Sequence, residues 1–425
     1  MNIDKNYWDI DTYSNVAKNN YLKHLQYLHE NKYPWNEKTC SSAALMGHLE
    51  CIKYAHENGC PWNEKTCSSA ALMGHLECLK YAHENGCPWD DETYDNAASN
   101  GHLECLKYAH ENGCPLYEYT CRTAAQNGHL DCLKYAHENG CPWDKWTSFN
   151  SVNHIDCLKY VHENGCPWDE FVCDYAAKNG YLECLKYAHE NKCPWDECTC
   201  SNAVEKNHIE CLKYAHENGC PWNEFTCSQA AMYGHLTCLK YAHENGCPWN
   251  ENTSCNAAQN AHLECLKYAH ENGCPWNIWT SSSAAKYGNI ECLKYVHENG
   301  CPWSKATCYH AAVNNHIECL KYLHENGCPW HEDTCLVTAK YGYIECLKYA
   351  HENGCPYSKE LLPTIVHKIL IPKWRVAVKI RPYILYWMEH ITQTLCAKDG
   401  RYQKEDLNSF EKDFNNITFN IILKN

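Results

Sequence analysis

The chain has 425 residues, 44% of them hydrophobic, and carries 52 Asp plus Glu against 37 Lys plus Arg, a formal net charge of −15. That length suits two or three ordinary domains or one long array of small units. An acidic balance of this size repels phosphate backbones and argues against nucleic acid as a partner. No apolar run is long enough to span a bilayer, since the most apolar stretch is broken by Lys368, Lys373, Arg375, Lys379 and Arg381.

From the N-terminus, "MNIDKNYWDI" shows no basic segment followed by an apolar core, so export is not expected. The 35 cysteines are then expected to be reduced thiols in an intracellular protein, and the sequons at Asn252 and Asn416 carry no weight. A repeat follows at once. Prolines of a "PW" step, twice "PL" or "PY", fall at 34, 61, 88, 115, 142, 167, 194, 221, 248, 275, 302, 329 and 356. The step is 27 residues except for 25 between 142 and 167, which defines 13 repeats from about Trp8 to Tyr357. Residues 1–357 are read as the array and 358–425 as a separate tail.

The second repeat, "WNEKTCSSAALMGHLECIKYAHENGCPW", reads as two short helices. Asn36 caps the first, which runs to about Met46 and ends at Gly47; the second spans roughly His48 to Asn58 and stops at Gly59 before Pro61. Neither is long enough to be stable alone, so each must bury a face against its neighbours in a solenoid of helix pairs. The step that loses two residues should clip the first helix of the sixth repeat, "WDKWTSFNSVNHID".

"TCSSAALMGHLECIKYAHENGCPWN" resembles the ankyrin core "TPLHxAAxxGHxxVVxxLLxxGADVN", with Ala43-Ala44, Gly47-His48, Ile52 and Gly59 in step. The usual unit is about 33 residues. The residues missing here fall between Trp62 and Thr66, where ankyrin repeats carry a β-hairpin finger, and the "TPLH" tetrapeptide is absent. The "HENGCPW" variant resembles ankyrin-repeat proteins of giant DNA viruses that infect amoebae. The resemblance implies an all-α fold, an α-solenoid of about 13 stacked helix-turn-helix repeats without hairpin fingers. It also implies protein binding rather than a reaction, with a host protein as partner in the host cytoplasm.

Numbered on the second repeat, positions 39, 40, 43, 44 and 47 stay close to Thr, Cys, Ala, Ala and Gly, while 38, 41, 42, 45 and 46 vary. The two sets are opposite faces of one helix, so the variable face is expected to point away from the core. Position 38 reads Lys38, Lys65, Glu92, Tyr119, Trp146, Phe171, Cys198, Phe225, Asn252, Trp279, Ala306 and Asp333. Five of these twelve are aromatic, a composition typical of interface hot spots. The expected partner-binding residues are therefore Tyr119, Trp146, Phe171, Phe225 and Trp279. The second helix hardly changes, and its Glu50, Lys53 and Glu57 form a solvated line of opposite charges.

The cysteines occupy three phases, those of Cys40, Cys51 and Cys60. A zinc site needs about four converging ligands, usually in CxxC-type pairs. The close spacings here are only His56 to Cys60 and Cys198-x-Cys200. Where the Cys40 phase becomes Tyr94 or Ser281 the other phases persist, although obligate ligands or disulfide partners should be lost together. Buried structural thiols are expected, with no metal and no cofactor. The first repeat, with Tyr13, His24 and Tyr33 in the three phases, is read as an end unit. His56 and its counterparts recur in every repeat, each expected to serve a helix C-terminus or a neighbouring backbone group. Thirteen equivalent sites argue against a catalytic one, and no phosphate loop, Ser elbow or paired-carboxylate motif appears.

The tail, "SKELLPTIVHKILIPKWRVAVKIRPYILYWMEHITQTL", breaks the period and is expected to form a helical cap over the last repeat. Residues 357–425 hold 11 Lys plus Arg against 7 Asp plus Glu, leaving 26 against 45 for residues 1–356. "LLPTIVHKIL" also resembles the opening of F-box segments, which would make the chain a substrate-recognition adaptor bound to a ubiquitin-ligase subunit. The spacing after Leu362-Pro363 is one residue short of that pattern, and its acidic residue is missing.

Overall fold

The structure is a computed structural model that describes residues 12–114 and 118–356. The tail, with its expected cap and its F-box-like segment, lies outside the described residues. Among the described residues there are 26 α-helices, α1 (Thr12–Lys18) to α26 (Ile344–Glu352), and no strand. Odd-numbered helices open the repeats and even-numbered helices close them. The result is an all-α solenoid of thirteen helix-turn-helix repeats without hairpin fingers, as the period implies.

The second repeat shows why this sequence folds in this way. Asn36 is extended, with φ −142°, and its side chain accepts the Lys38 N–H at 3.1 Å to start α3 (Glu37–Leu45). Gly47, at φ +75°, reverses the chain, and the His48 N–H donates to the Ala43 carbonyl at 2.9 Å. The second helix, α4 (Leu49–Glu57), ends when Gly59 turns left-handed, and the Cys60 N–H closes on the Ala55 carbonyl at 2.9 Å. On α3 the side chains of Thr39, Cys40, Ala43 and Ala44 are buried, and on α4 those of Cys51, Ile52 and Ala55. These small residues let α3 pack against the first helices of the repeats on either side as well as against α4.

Gly47 has a second constraint. A Cβ there would lie 2.6 Å from Nδ1 of His75 in the next repeat, so the ring of one "GH" step occupies the space left by the preceding glycine. The same histidine position reaches back to a first-helix carbonyl, as when His102 Nε2 lies 3.1 Å from the Leu72 oxygen.

The sixth repeat is clipped as its shortened step requires. Its first helix, α11 (Lys145–Asn150), has six residues and finishes in a single tighter turn, Ser151–Asn153. In the first repeat Tyr13 is buried where later repeats hold a thiol, and its hydroxyl donates to the Tyr33 carbonyl at 3.0 Å. His24 is exposed.

Two compact units divide the chain, Met1–Ala257 with Glu264–Pro275, and Ala258–Leu263 with Trp276–Asn425. The first holds repeats 1 to 9 and most of repeat 10, and the second holds repeats 11 to 13.

Candidate partner-binding surface on the first helices

In most first helices the N-cap side chain fixes the backbone of position 38. In the first compact unit Asp144 accepts the Trp146 N–H at 3.1 Å, Asp169 that of Phe171 at 3.3 Å and Asn223 that of Phe225 at 2.9 Å. With the backbone tied inward, the side chain two residues past the cap leaves the stack. Tyr119 is 56% exposed, Trp146 45%, Phe171 47% and Phe225 56%. In the second compact unit Asn277 caps Trp279 in the same way at 2.8 Å, and this indole is 61% exposed.

Cations accompany several of these rings. The Arg122 guanidinium carbon is 5.1 Å from the Tyr119 ring centre, and Lys145 Nζ is 5.6 Å from the Trp146 ring and 5.9 Å from that of Phe171. Each cation is also paired: Arg122 donates to both carboxylate oxygens of Asp144 at 3.1 and 2.7 Å, and Lys145 lies 3.1 Å from Asp169. Trp146 meets Phe149 edge-on at 5.8 Å, and Phe149 lies 4.7 Å from Tyr175. First helices α9 (Glu118–Gln126), α11 and α13 (Glu170–Asn179) thus carry a joined aromatic and cationic cluster across repeats 5 to 7.

Two of the five variable positions do not face away from the stack as the period suggested. Side chains at positions 41 and 42 join neighbouring first helices: Thr120 donates to Asp95, Thr199 to Asp174 at 2.7 Å, and Asn96 to the Ser68 carbonyl at 3.3 Å. In the second unit Ser282 and Thr307 share a hydrogen bond at 3.0 Å. Helical periodicity separates two faces of a helix but does not tell solvent from an adjacent helix of the same kind. Position 46, by contrast, is a second exposed row holding Met46, Met73 and Tyr233 in the first unit and Tyr287 and Tyr341 in the second. Its variability is visible in the sequence, where its apolar members are less conspicuous than the aromatic run at position 38.

The thiols have structural roles. Cys60 donates to the Asn36 carbonyl at 3.3 Å and Cys220 to that of Asp196 at 3.1 Å, tying the turn after each second helix to the cap of the first. The Cys40 phase lies against the same turn, as where Cys121 donates to the Cys141 carbonyl at 3.9 Å. Serine also fits this phase: Ser254 donates to Cys274 Sγ at 3.4 Å, and Ser281 donates to the Pro302 carbonyl at 2.7 Å. That is why one phase can change while its neighbour stays. All described cysteines are unbridged, and all but Cys198 and Cys255 are buried. Burial, with the Glu77 carboxylate beside it, pushes the Cys78 thiol up to about 11. Such a thiol is protonated near neutrality and a poor nucleophile or ligand.

The two cysteines of Cys198-x-Cys200 part company, Cys200 going to the core and Cys198 to the surface. There Cys198 forms a cluster with Asp174 and Asp196 that the sequence spacing did not disclose, with ligand atoms within 4.8 Å of one another. Asp196 is already the N-cap for Cys198 at 2.8 Å and Asp174 already accepts from Thr199, so both carboxylates have protein partners.

The recurrent histidines sit in the last turn of the second helices, as expected, and several of them bond to a side chain of the next repeat rather than to a backbone group. His189 Nδ1 lies 3.1 Å from the Tyr214 hydroxyl while its ring stacks on Trp195 at 3.8 Å, and Trp195 in turn meets Tyr214 edge-on at 6.4 Å. The trio recurs in most described repeats, as at His162, Trp168 and Tyr187. It is therefore a packing device and not a single reactive centre.

The family model for ankyrin repeats in many copies matches residues 40–83. No curated protein matches the chain. Among solved structures, the crystal structure of the human ASB11 ankyrin repeat domain is similar, at 19% identity over 37% of this chain and 84% of that one, with a TM-score of 0.33.

Proposed function

We propose that this chain is a non-enzymatic scaffold that binds a protein partner through the outward row of its first helices. Ankyrin repeats generally mediate protein–protein interaction, and no described helix is long and apolar enough to cross a membrane. The observation that carries the reading is the exposure of Tyr119, Trp146, Phe171 and Phe225 within one compact unit, the last three on capped backbones, with Trp279 displayed on a capped backbone in the other. Large rings held rigidly in water lose little entropy on binding and bury much area, which suits them as anchors.

The test replaces Phe171, Phe225 and Trp279 by Ser together and compares proximity labelling in cells with the unaltered protein. Helical circular dichroism and the melting temperature should be unchanged, and the labelled partner should vanish. Retention of the same partner would sink the proposal.

The finer readings follow from the sequence resemblance. Residues 1–357 act as the selecting array and 358–425 as its tail, in a protein of the giant-virus type that engages a host protein in the host cytoplasm. The F-box-like "LLPTIVHKIL" favours a second reading, in which the tail recruits a ubiquitin-ligase subunit and the array presents its substrate. Ligase adaptor subunits recovered with the full chain and lost on replacing Leu361, Leu362 and Pro363 by Ala would support it, and their absence would refute it.

A further inference from the structure

We infer that the surface of repeats 8 to 10 receives a cationic segment of the partner, with an arginine or lysine side chain seated over Phe225 among Glu197, Glu224 and Glu251. This rests on the reading of the first helices as the partner surface. The three glutamates open consecutive first helices α15 (Glu197–Glu205), α17 (Glu224–Tyr233) and α19 (Glu251–Gln259), and all three are exposed. Those helices contain no Lys or Arg, whereas in α3 and α5 (Glu64–Leu72) the opening glutamate is followed by Lys38 or Lys65.

A glutamate in a first turn is ordinarily explained by the helix dipole. That does not explain a phenylalanine left 56% exposed next to Glu224 on the middle one of the three helices that these glutamates open. Elsewhere in the same compact unit the chain pairs such rings with a cation that is itself paired with a carboxylate. Arg122 lies over Tyr119 and is bound to Asp144; Lys145 lies over Phe171 and is paired with Asp169. Phe225 has Glu224 beside it in the chain, the flanking helices open with Glu197 and Glu251, and none of the three helices supplies a cation. A partner side chain would complete the arrangement, and the excess of 45 acidic over 26 basic residues in 1–356 would steer a basic segment toward it.

The probe is a fluorescein-labelled nonapeptide, Arg-Gly-Ser three times over. Extended at about 3.3 Å per residue it spans roughly three helix-to-helix steps of about 10 Å. Fluorescence anisotropy with the full chain should show saturable binding, and the Glu-Gly-Ser counterpart should show none. Phe225→Ser should weaken binding about tenfold, as loss of one desolvated cation–ring contact implies, while Phe225→Tyr preserves it. Glu197→Gln with Glu224→Gln should weaken it several-fold and flatten its salt dependence. Absence of saturable binding, or binding indifferent to Phe225→Ser, would overturn the inference. If the Ser variants lose the cellular partner but the unaltered chain ignores the cationic probe, the cation reading alone is refuted. If the probe binds through Phe225 but the Ser variants keep the partner, the partner surface lies elsewhere and the inference falls with it.

Discussion

Gly74 and Gly86 have nearly the same backbone, φ +74° and +85°, but different surroundings. A Cβ at Gly74 would lie 2.5 Å from Nδ1 of His102, whereas at Gly86 nothing lies within 4 Å. Alanine at either site incurs the left-handed penalty of about 1–2 kcal/mol. At Gly74 it must also displace a packed ring, adding about 1–3 kcal/mol. Urea unfolding should therefore rank Gly74→Ala clearly below Gly86→Ala, and His102→Ala should narrow the gap; equal losses would deny the contact a role. Asp174 gives a pH test. Burial, against the hydrogen bond from Thr199, raises its carboxyl from 3.8 to about 6, so the folded state holds its proton more tightly than the unfolded chain. Its charged form thus costs stability, fully above pH 6 and not at all below the unfolded value. Asp174→Asn should stabilise the protein at pH 7.5, and the gain over the parent should fade as pH drops from about 6 to about 4. His75 and His208, lowered by burial first, act in the opposite sense: their contribution is present above the ordinary histidine range and lost on acidification. The comparison must therefore be a difference between variant and parent. At this scale the sequence disclosed the left-handed glycines, because helix ends require them. It did not disclose the ring beside Gly74, because a contact across 28 residues leaves no local mark.

The helices were legible where local chemistry sets their ends. Asn36 and Gly47 bound α3, and the missing two residues shorten α11, as composition and spacing implied. What lies between helices was less legible. Positions 41 and 42 vary like exposed sites, although Asp95 and Asn96 use their side chains to hold neighbouring first helices. Second helices are joined by the His–Trp–Tyr trios, which the sequence presented only as a faithful repetition. Removing the Tyr214 hydroxyl with Phe should cost about 1 kcal/mol, the net value of its bond to His189. Removing the indole with Trp195→Ala should cost more, about 2–3 kcal/mol, because both ring contacts go with it. A lower urea midpoint for the alanine variant than for the phenylalanine variant checks the order. The reverse order would make the hydrogen bond the dominant tie between second helices.

At the scale of the whole array, period is what the stack reads, and this can be tested by deletion within the first compact unit. Removing residues 63–89 takes out one 27-residue step and joins Trp62 to Asp90, which replaces Asn63 as an N-cap. The glycine and ring contacts across the new junction have their counterparts in the old one. Gly47 meets His102 as it met His75, and His56 with Trp62 meets Tyr108 as it met Tyr81. In a stack with nearest-neighbour energetics only one repeat and one interface are lost. The shortened chain should stay helical and unfold cooperatively, with a slightly smaller urea slope in proportion to the surface removed. Deleting residues 63–87 removes 25 residues instead and leaves a duplicated "PW" turn between α4 and α7 (Asp91–Ser99), so the first helix arrives late for its cap and for the ring of His102. Repeat 6 tolerates a 25-residue step only because the two residues come out of its own first helix, which ends early at Asn150. The 25-residue deletion should therefore melt well below the 27-residue one although it removes less chain. Equal melting temperatures would mean that contacts within a repeat, and not register between repeats, hold the array together.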